Sequence, residues 1–262
     1  MFVRGMLAAL ALGLGEAAAV EIIGHRGASF DAPENTLAAF RLAFEQGADA
    51  VECDVYLTKD GKIAVLHDKD TKRVAGVDKK VVDQTLDELR ALDVGRWKDS
   101  KFTGEKIPTL TELLAVIPKG KRLYIEVKCG PEIMTELKRV LGAAKLDPDQ
   151  TPIISFSAAV VAAAKKELPA LKAYWIVSVT SKKKTWTVDE LIAMGTEIKA
   201  DGLDLSHDPM ITSGFVKKAE AAKLPVFVWT VNDPAVARAM LGAGVKAITT
   251  DRPGWLREQL AK

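Results

Sequence analysis

Short apolar, β-branched runs alternate along most of the chain with longer stretches whose apolar residues recur at helical spacing. Val20 to Gly24 reads as a buried strand. A helix is predicted from about Asn35 to Gln46, with Asn35 as N-cap, Leu37, Phe40 and Phe44 on one face, and Gly47 as its stop. Ala50 to Tyr56 reads as the next strand, Lys59-Asp60-Gly61-Lys62 as a hairpin turn, and Ile63 to Leu66 as an antiparallel return. Residues from about Asp68 to Lys106 then break the rhythm. They are highly charged and contain a capping box, Thr85 with Glu88. With the hairpin they form an insertion over about residues 57–108. A second capping box, Thr109 with Glu112, opens a helix from Leu110 to Ile117.

From there the alternation is regular. Strands are predicted near Leu123–Val127, Pro152–Phe156, Ala173–Val177, Gly202–Leu205, Val226–Thr230 and Ala247–Thr250. Helices are predicted near Glu132–Lys145, Ala158–Glu167, Val188–Ile198, Thr212–Ala222, Pro234–Leu241 and Pro253–Leu260. Without the return strand, eight strands alternate with helices, which predicts parallel pairing and a closed α/β TIM (β/α)8 barrel in one domain over residues 20–262.

Composition changes this picture little. The 262 residues are 27% charged and 48% apolar, with a formal net charge of +2, an ordinary balance that gives no footprint for nucleic acid. The first 19 residues differ. Arg4 precedes an apolar stretch from Met6 to Leu14, too short to span a bilayer, and Ala17-Ala18-Ala19 follows. This is the pattern of a signal peptide cleaved near Ala19, so the chain is expected to be exported, periplasmic or secreted. An ordinary N-terminal helix is the alternative, and Glu16 favours it. No later segment reads as a membrane anchor, and a monomer or weak homodimer is expected. The two cysteines, Cys53 and Cys129, read as small buried residues rather than a disulfide.

Strand alternation carries the chemistry. In Ala50 to Tyr56, Glu52 and Asp54 share one face, while Val51, Cys53 and Val55 share the other. The apolar set should meet the helices, so the carboxylates point into the barrel. Glu126 and Lys128 likewise share a face. Glu52, Asp54 and Glu126 can therefore converge at the C-terminal mouth, where an all-oxygen set favours Mg²⁺ or Ca²⁺ over zinc. The alternative is a structural ion network with Lys128 and Arg26. His25 and His67 end strands beside these acids and are candidates for general acid and base. His207 reads as a loop histidine. Arg26 suits phosphate, with a salt bridge to Glu34 or Asp54 as the alternative. Phe156 and Trp229 wall the mouth or belong to the core. Lys182-Lys183-Lys184 reads as a solvated loop.

The ordered set His25-Arg26-Gly27, Pro33-Glu34-Asn35-Thr36, Glu52-Cys53-Asp54, Asp60-Gly61, His67-Asp68, Ile107-Pro108-Thr109-Leu110, Glu126-Val127-Lys128, Trp229-Thr230-Val231-Asn232 and Thr249-Thr250-Asp251-Arg252-Pro253 resembles the glycerophosphodiester phosphodiesterase family. The resemblance runs from about Val20 to the C-terminus. It implies a TIM barrel with a subdomain inserted after the second strand. It implies His25 and His67 as catalytic histidines, and Glu52, Asp54 and Glu126 as ligands of one divalent cation. It implies phosphate contact by Arg26, with Lys128 close to metal and phosphate, and Asn35, Phe156 and Trp229 in or beside the site. The implied activity is hydrolysis of small glycerophosphodiesters, such as glycerophosphocholine or glycerophosphoethanolamine, to sn-glycerol 3-phosphate and an alcohol. A lysophospholipase D is the neighbouring alternative, for which Val74, Val77, Val81, Trp97 and Phe102 offer apolar surface. A non-catalytic phosphodiester-binding protein is the alternative of another class.

Overall fold

The computed structural model describes residues 20–144 and 146–262, so the leader reading lies outside the described residues. One sheet contains β1 Glu21–Gly24, β2 Ala50–Leu57, β3 Ile63–Val65, β4 Arg122–Val127, β5 Ile153–Ser155, β6 Ala173–Val177, β7 Gly202–Ser206, β8 Val226–Trp229 and β9 Ala247–Thr250. Its order is β1-β9-β8-β7-β6-β5-β4-β2, and a β1–β2 pairing closes the ring. Every pairing in the ring is parallel. β3 stands outside it, antiparallel to β2 with Val55 opposite Val65. The architecture is the expected TIM barrel.

The helices are α1 Leu37–Glu45, α2 Lys72–Ala75, α3 Leu86–Ala91, α4 Leu110–Leu114, α5 Met134–Ala144, α6 Ala158–Glu167, α7 Val188–Glu197, α8 Ser213–Ala221, α9 Pro234–Ala243 and α10 Pro253–Leu260. Those other than α2 and α3 cover the ring, so its strands are buried on both faces. Val51, Cys53 and Val55 of β2 enter the layer between ring and helices. Their alternates face the interior. There Tyr124, Tyr174 and Phe227 pack with ring centroids 4.6 to 6.3 Å apart. At the N-terminal end, Glu21 accepts hydrogen bonds from Arg122 and from the Tyr124 hydroxyl at 2.7 Å. This plug fills the lower barrel, leaving polar chemistry to the C-terminal mouth.

Several expectations change. Asn35 is not the cap of α1; Thr36 is, its hydroxyl accepting from the Ala39 N–H at 3.2 Å. Asn35 has φ +58° and turns its amide towards β2 instead. α4 stops at Leu114, short of Ile117, and α5 is preceded by a 3₁₀ turn at Pro131–Ile133. The segment between β3 and β4 packs around its own apolar cluster of Ala64, Leu66, Val74, Val81, Leu89, Val94 and Ile107. Val74 and Val81 are therefore core residues, not surface for a lipid. Cys53 is buried, whereas Cys129 is only half-buried, and both are free thiols. Among the described residues no helix is long and apolar enough to cross a membrane.

Candidate active site

The site begins in the loop after β1. Arg26 at φ +54° and Gly27 at φ +84° are consecutive left-handed residues, which turn the chain sharply over the barrel mouth. A Cβ on Gly27 would lie 2.5 Å from the Ala39 carbonyl carbon, so only glycine lets α1 approach so closely. The turn aims the Arg26 N–H at Glu52, which accepts it at 3.0 Å. Asn35 donates to Asp54 Oδ2 at 2.8 Å while its own Oδ1 accepts the Asp54 N–H at 3.3 Å. Two residues in unfavourable backbone conformations thus hold two carboxylates in place.

Glu52, Asp54 and Glu126 offer oxygens that all lie within 4.8 Å of one another, and all three residues are buried. Burial, then the charges of Asp54 and Glu126, push Glu52 well above the usual carboxylate range. Burial and Asp54 push Glu126 up to about 7. Burial acts on Asp54 in the same direction, but the Arg26 guanidinium and the Lys128 ammonium outweigh it and hold Asp54 low. Lys128 donates to Glu126 at 2.8 Å and lies 3.4 Å from Asp54, and Arg26 Nε lies 3.3 Å from Asp54. Both readings of these acids are therefore visible together, since an ion network surrounds a convergent carboxylate set. The network does not exhaust the set. Among the described residues no donor hydrogen-bonds the buried Glu52 Oε1, and the buried Asp54 Oδ1 has only the Lys128 ammonium at 3.4 Å. Converging carboxylate oxygens with so few donors fit a hard divalent cation and are costly without one.

The two histidines are held alike. His25 Nδ1 lies 2.6 Å from Asp251, and His67 Nδ1 lies 2.7 Å from Asp68. A carboxylate at Nδ1 fixes the proton there, so in the neutral ring Nε2 is the basic nitrogen left for the pocket. Asp251 also accepts from Ser29 at 3.0 Å and from Asn232 at 2.6 Å. Burial would raise its pKa, but these donors and His25 bring it to about 2. Asp68 accepts from Arg73, which grips both oxygens of Glu34, and Glu34 accepts from Arg26 at 2.9 Å. A chain of alternating charge thus links His67 to the phosphate candidate Arg26 through Arg73, a residue of α2 in the segment between β3 and β4.

His25, Arg26, Glu52, His67, Glu126 and Lys128 line one pocket. Phe156 and Trp229 wall it, their rings edge to face at 5.5 Å, while Asp54 and Asn35 sit just behind. His207 does not line it, and Lys182 to Lys184 lie on an exposed loop. Sequence reasoning assigned no role to Asp251, Asn232, Arg73 or Asp204. Asp251 and Asn232 stood inside quoted motifs, whereas Arg73 carried no signal beyond local charge. Asp251→Asn should lower kcat by about 10- to 1000-fold with KM little changed, because the imidazole loses its negatively charged partner and the amide can present a donor instead, favouring the wrong tautomer. Steady-state kinetics on a folded variant checks this; unchanged kcat would show that the pair does not act in turnover.

Comparison with known proteins agrees with this geometry. The profile of the Glycerophosphoryl diester phosphodiesterase family matches residues 25–255. A glycerophosphodiester phosphodiesterase of Caldanaerobacter subterraneus is 34% identical over 237 residues, covering 88% of this chain and 94% of that protein. An Oleispira antarctica phosphodiesterase, solved with the product sn-glycerol-3-phosphate, superposes with a TM-score of 0.83 at 29% identity, over 92% of this chain and 97% of that one. A glycerophosphodiester phosphodiesterase from Agrobacterium tumefaciens superposes with a TM-score of 0.78 at 27% identity, over 92% of this chain and all (100%) of that one. The profile match over most of the chain and the relative at 34% identity place the chain in the glycerophosphoryl diester phosphodiesterase family, and it is a phosphoric diester hydrolase.

Proposed function

We propose that the chain hydrolyses small glycerophosphodiesters, such as glycerophosphocholine and glycerophosphoethanolamine, to sn-glycerol 3-phosphate and the free alcohol, with one Mg²⁺ or Ca²⁺ held by Glu52, Asp54 and Glu126. The observation that carries this reading is that both histidines, each paired with a carboxylate, line the same pocket as Glu52 and Glu126 of the carboxylate triad. The bound cation supplies neutralisation of charge on the non-bridging phosphate oxygens. Arg26 and Lys128 donate to the same group from other sides, and their present carboxylate partners keep them oriented.

His25 and His67 divide the proton transfers. One takes the proton of the attacking hydroxyl, whether of water or of the substrate's glycerol 2-hydroxyl, and the other protonates the leaving alcohol oxygen. Burial holds His67 below the ordinary imidazole range, so its neutral form prevails and it is assigned as the acceptor. His25, paired with Asp251, is assigned as the donor. Export after cleavage near Ala19 belongs to the same proposal, placing the enzyme in the periplasm or outside the cell.

The test is release of sn-glycerol 3-phosphate from glycerophosphocholine after EDTA treatment, then with Mg²⁺ or Ca²⁺ restored. Turnover that returns with the cation supports the reading; turnover that EDTA leaves intact removes the cation from it. A lysophospholipase D is the second reading, favoured by exposed Phe30, Trp97 and Phe156. Faster turnover of lysophosphatidylcholine than of glycerophosphocholine would select it. No catalytic or ligating side chain is missing, so nothing on the site favours binding without turnover.

A further inference from the structure

Of the acids lining the pocket, Asp204 alone belongs neither to the carboxylate triad nor to a histidine pair. It stands on β7, which in the ring order lies four strands from β2 in either direction, across the barrel from Glu52 and Asp54. In register it sits between Ile176 of β6 and Phe227 of β8. Only 6% of it is exposed, and Oδ1 is buried with no donor among the described residues. The nearby Trp229 indole N–H does not serve it, because that proton goes to the Asp204 backbone carbonyl at 3.1 Å.

A carboxyl buried between Ile176 and Phe227 without a partner costs free energy that a hydrophobic residue would not. Buried polar groups are nearly always satisfied, so an orphan aimed into a pocket calls for a ligand group. The phosphate belongs on the opposite wall, with Arg26 and Lys128. What reaches Asp204 must therefore be a polar group a few bonds from the phosphorus, small enough for an apolar floor, and carrying a proton to donate. A quaternary ammonium carries no such proton and can offer Oδ1 a Coulomb contact but no hydrogen bond.

We propose that Asp204 is the specificity residue for the glycerol end of the substrate, its Oδ1 accepting a hydrogen bond from a glycerol hydroxyl. The inference rests on the glycerophosphodiester reading and deepens it. The head group is then directed to the mouth, where Phe156 is 45% exposed. Discrimination of this kind comes from leaving a buried group unpaired when an analogue lacks the hydroxyl.

The experiment is calorimetric titration of the purified chain in Mg²⁺ with sn-glycerol 3-phosphate and with propyl phosphate, which keeps the phosphate and lacks the hydroxyls. The wild type should bind sn-glycerol 3-phosphate about 10- to 100-fold more tightly. Asp204→Ala should abolish most of that preference, leave propyl phosphate binding unchanged and not lower the melting temperature. Asp204→Asn, which retains an acceptor oxygen, should keep part of the preference and serves if the alanine variant does not fold. Equal weakening of both ligands, an undiminished preference in Asp204→Ala, or no preference in the wild type would overturn the inference. So would weakened phosphocholine binding with sn-glycerol 3-phosphate unaffected, since the carboxyl would then face the head group. A wild type that shows the preference yet cleaves no glycerophosphodiester would sink the functional reading and leave Asp204's role standing.

Discussion

Replacing His67 with alanine is expected to lower kcat by about two to four orders of magnitude while the barrel stays folded. The side chain is half-exposed and makes one contact of consequence, with Asp68, so its loss opens no core cavity. The proposed proton acceptor vanishes, while the carboxylates and the cationic side chains remain. KM should move little, because the proposed phosphate contacts Arg26 and Lys128 are untouched. His25→Ala should behave alike, with one difference that identifies its role. If His25 protonates the leaving alcohol, a substrate whose leaving group is already acidic, such as a p-nitrophenyl diester, should lose far less rate in His25→Ala than glycerophosphocholine does. In His67→Ala the two substrates should suffer equally. Near-normal kcat in both variants, or the opposite pattern of rescue, would overturn these assignments.

The second large effect couples activity and stability in opposite directions. Glu52→Gln should reduce turnover by about three orders of magnitude, since it removes one carboxylate from the proposed cation site. In the metal-free chain the same change should raise the melting temperature, because it relieves a buried acid repelled by Asp54 and Glu126. The pH dependence follows in sign. Glu52 lies well above its ordinary 4.5, and Glu126 is raised to about 7. Between those values the folded chain keeps protons that the unfolded chain has released. These two carboxyls should therefore make the metal-free protein lose stability as pH rises from about 4.5 to about 7, opposed in part by the lowered His67, and Mg²⁺ or Ca²⁺ should restore it. Melting temperatures with EDTA and with cation across that range test this. A metal-free curve that rises with pH, or is indifferent to cation, would contradict it.

What the residue pattern reveals and what it hides divides along physical lines. Alternation in β2 was enough to send Glu52 and Asp54 inward and Cys53 outward, because a period of two leaves no other choice in a strand buried on both faces. The barrel followed from the same rhythm repeated. Asn35 was misread because a cap preference is local, whereas its bonds to Asp54 depend on the loop folding across the mouth. Val74 and Val81 were misread because hydrophobicity does not say whether a short charged segment has a core of its own. Asp251 meets His25 across 226 positions and Arg73 meets Glu34 across 39, so no local spacing could expose those pairs; the Arg73–Asp68 contact is only five residues long but depends on how α2 turns back on the loop. Asp204 announces itself only by the donors it lacks, a property of packing rather than of sequence.

The return strand β3 is outside the closed ring, and His67 follows it at the edge of the separate apolar cluster. The two proposed proton-transfer groups therefore hang from parts of the molecule with unequal resistance to local opening. The cluster is small and clad in charged residues, so its amides should exchange with solvent sooner than those of the ring. A transient opening there would carry off His67 and Arg73 together while the carboxylate triad stayed assembled. Heat, mild denaturant or a protease should thus silence turnover before cation binding is lost, giving an inactive species that still holds its metal.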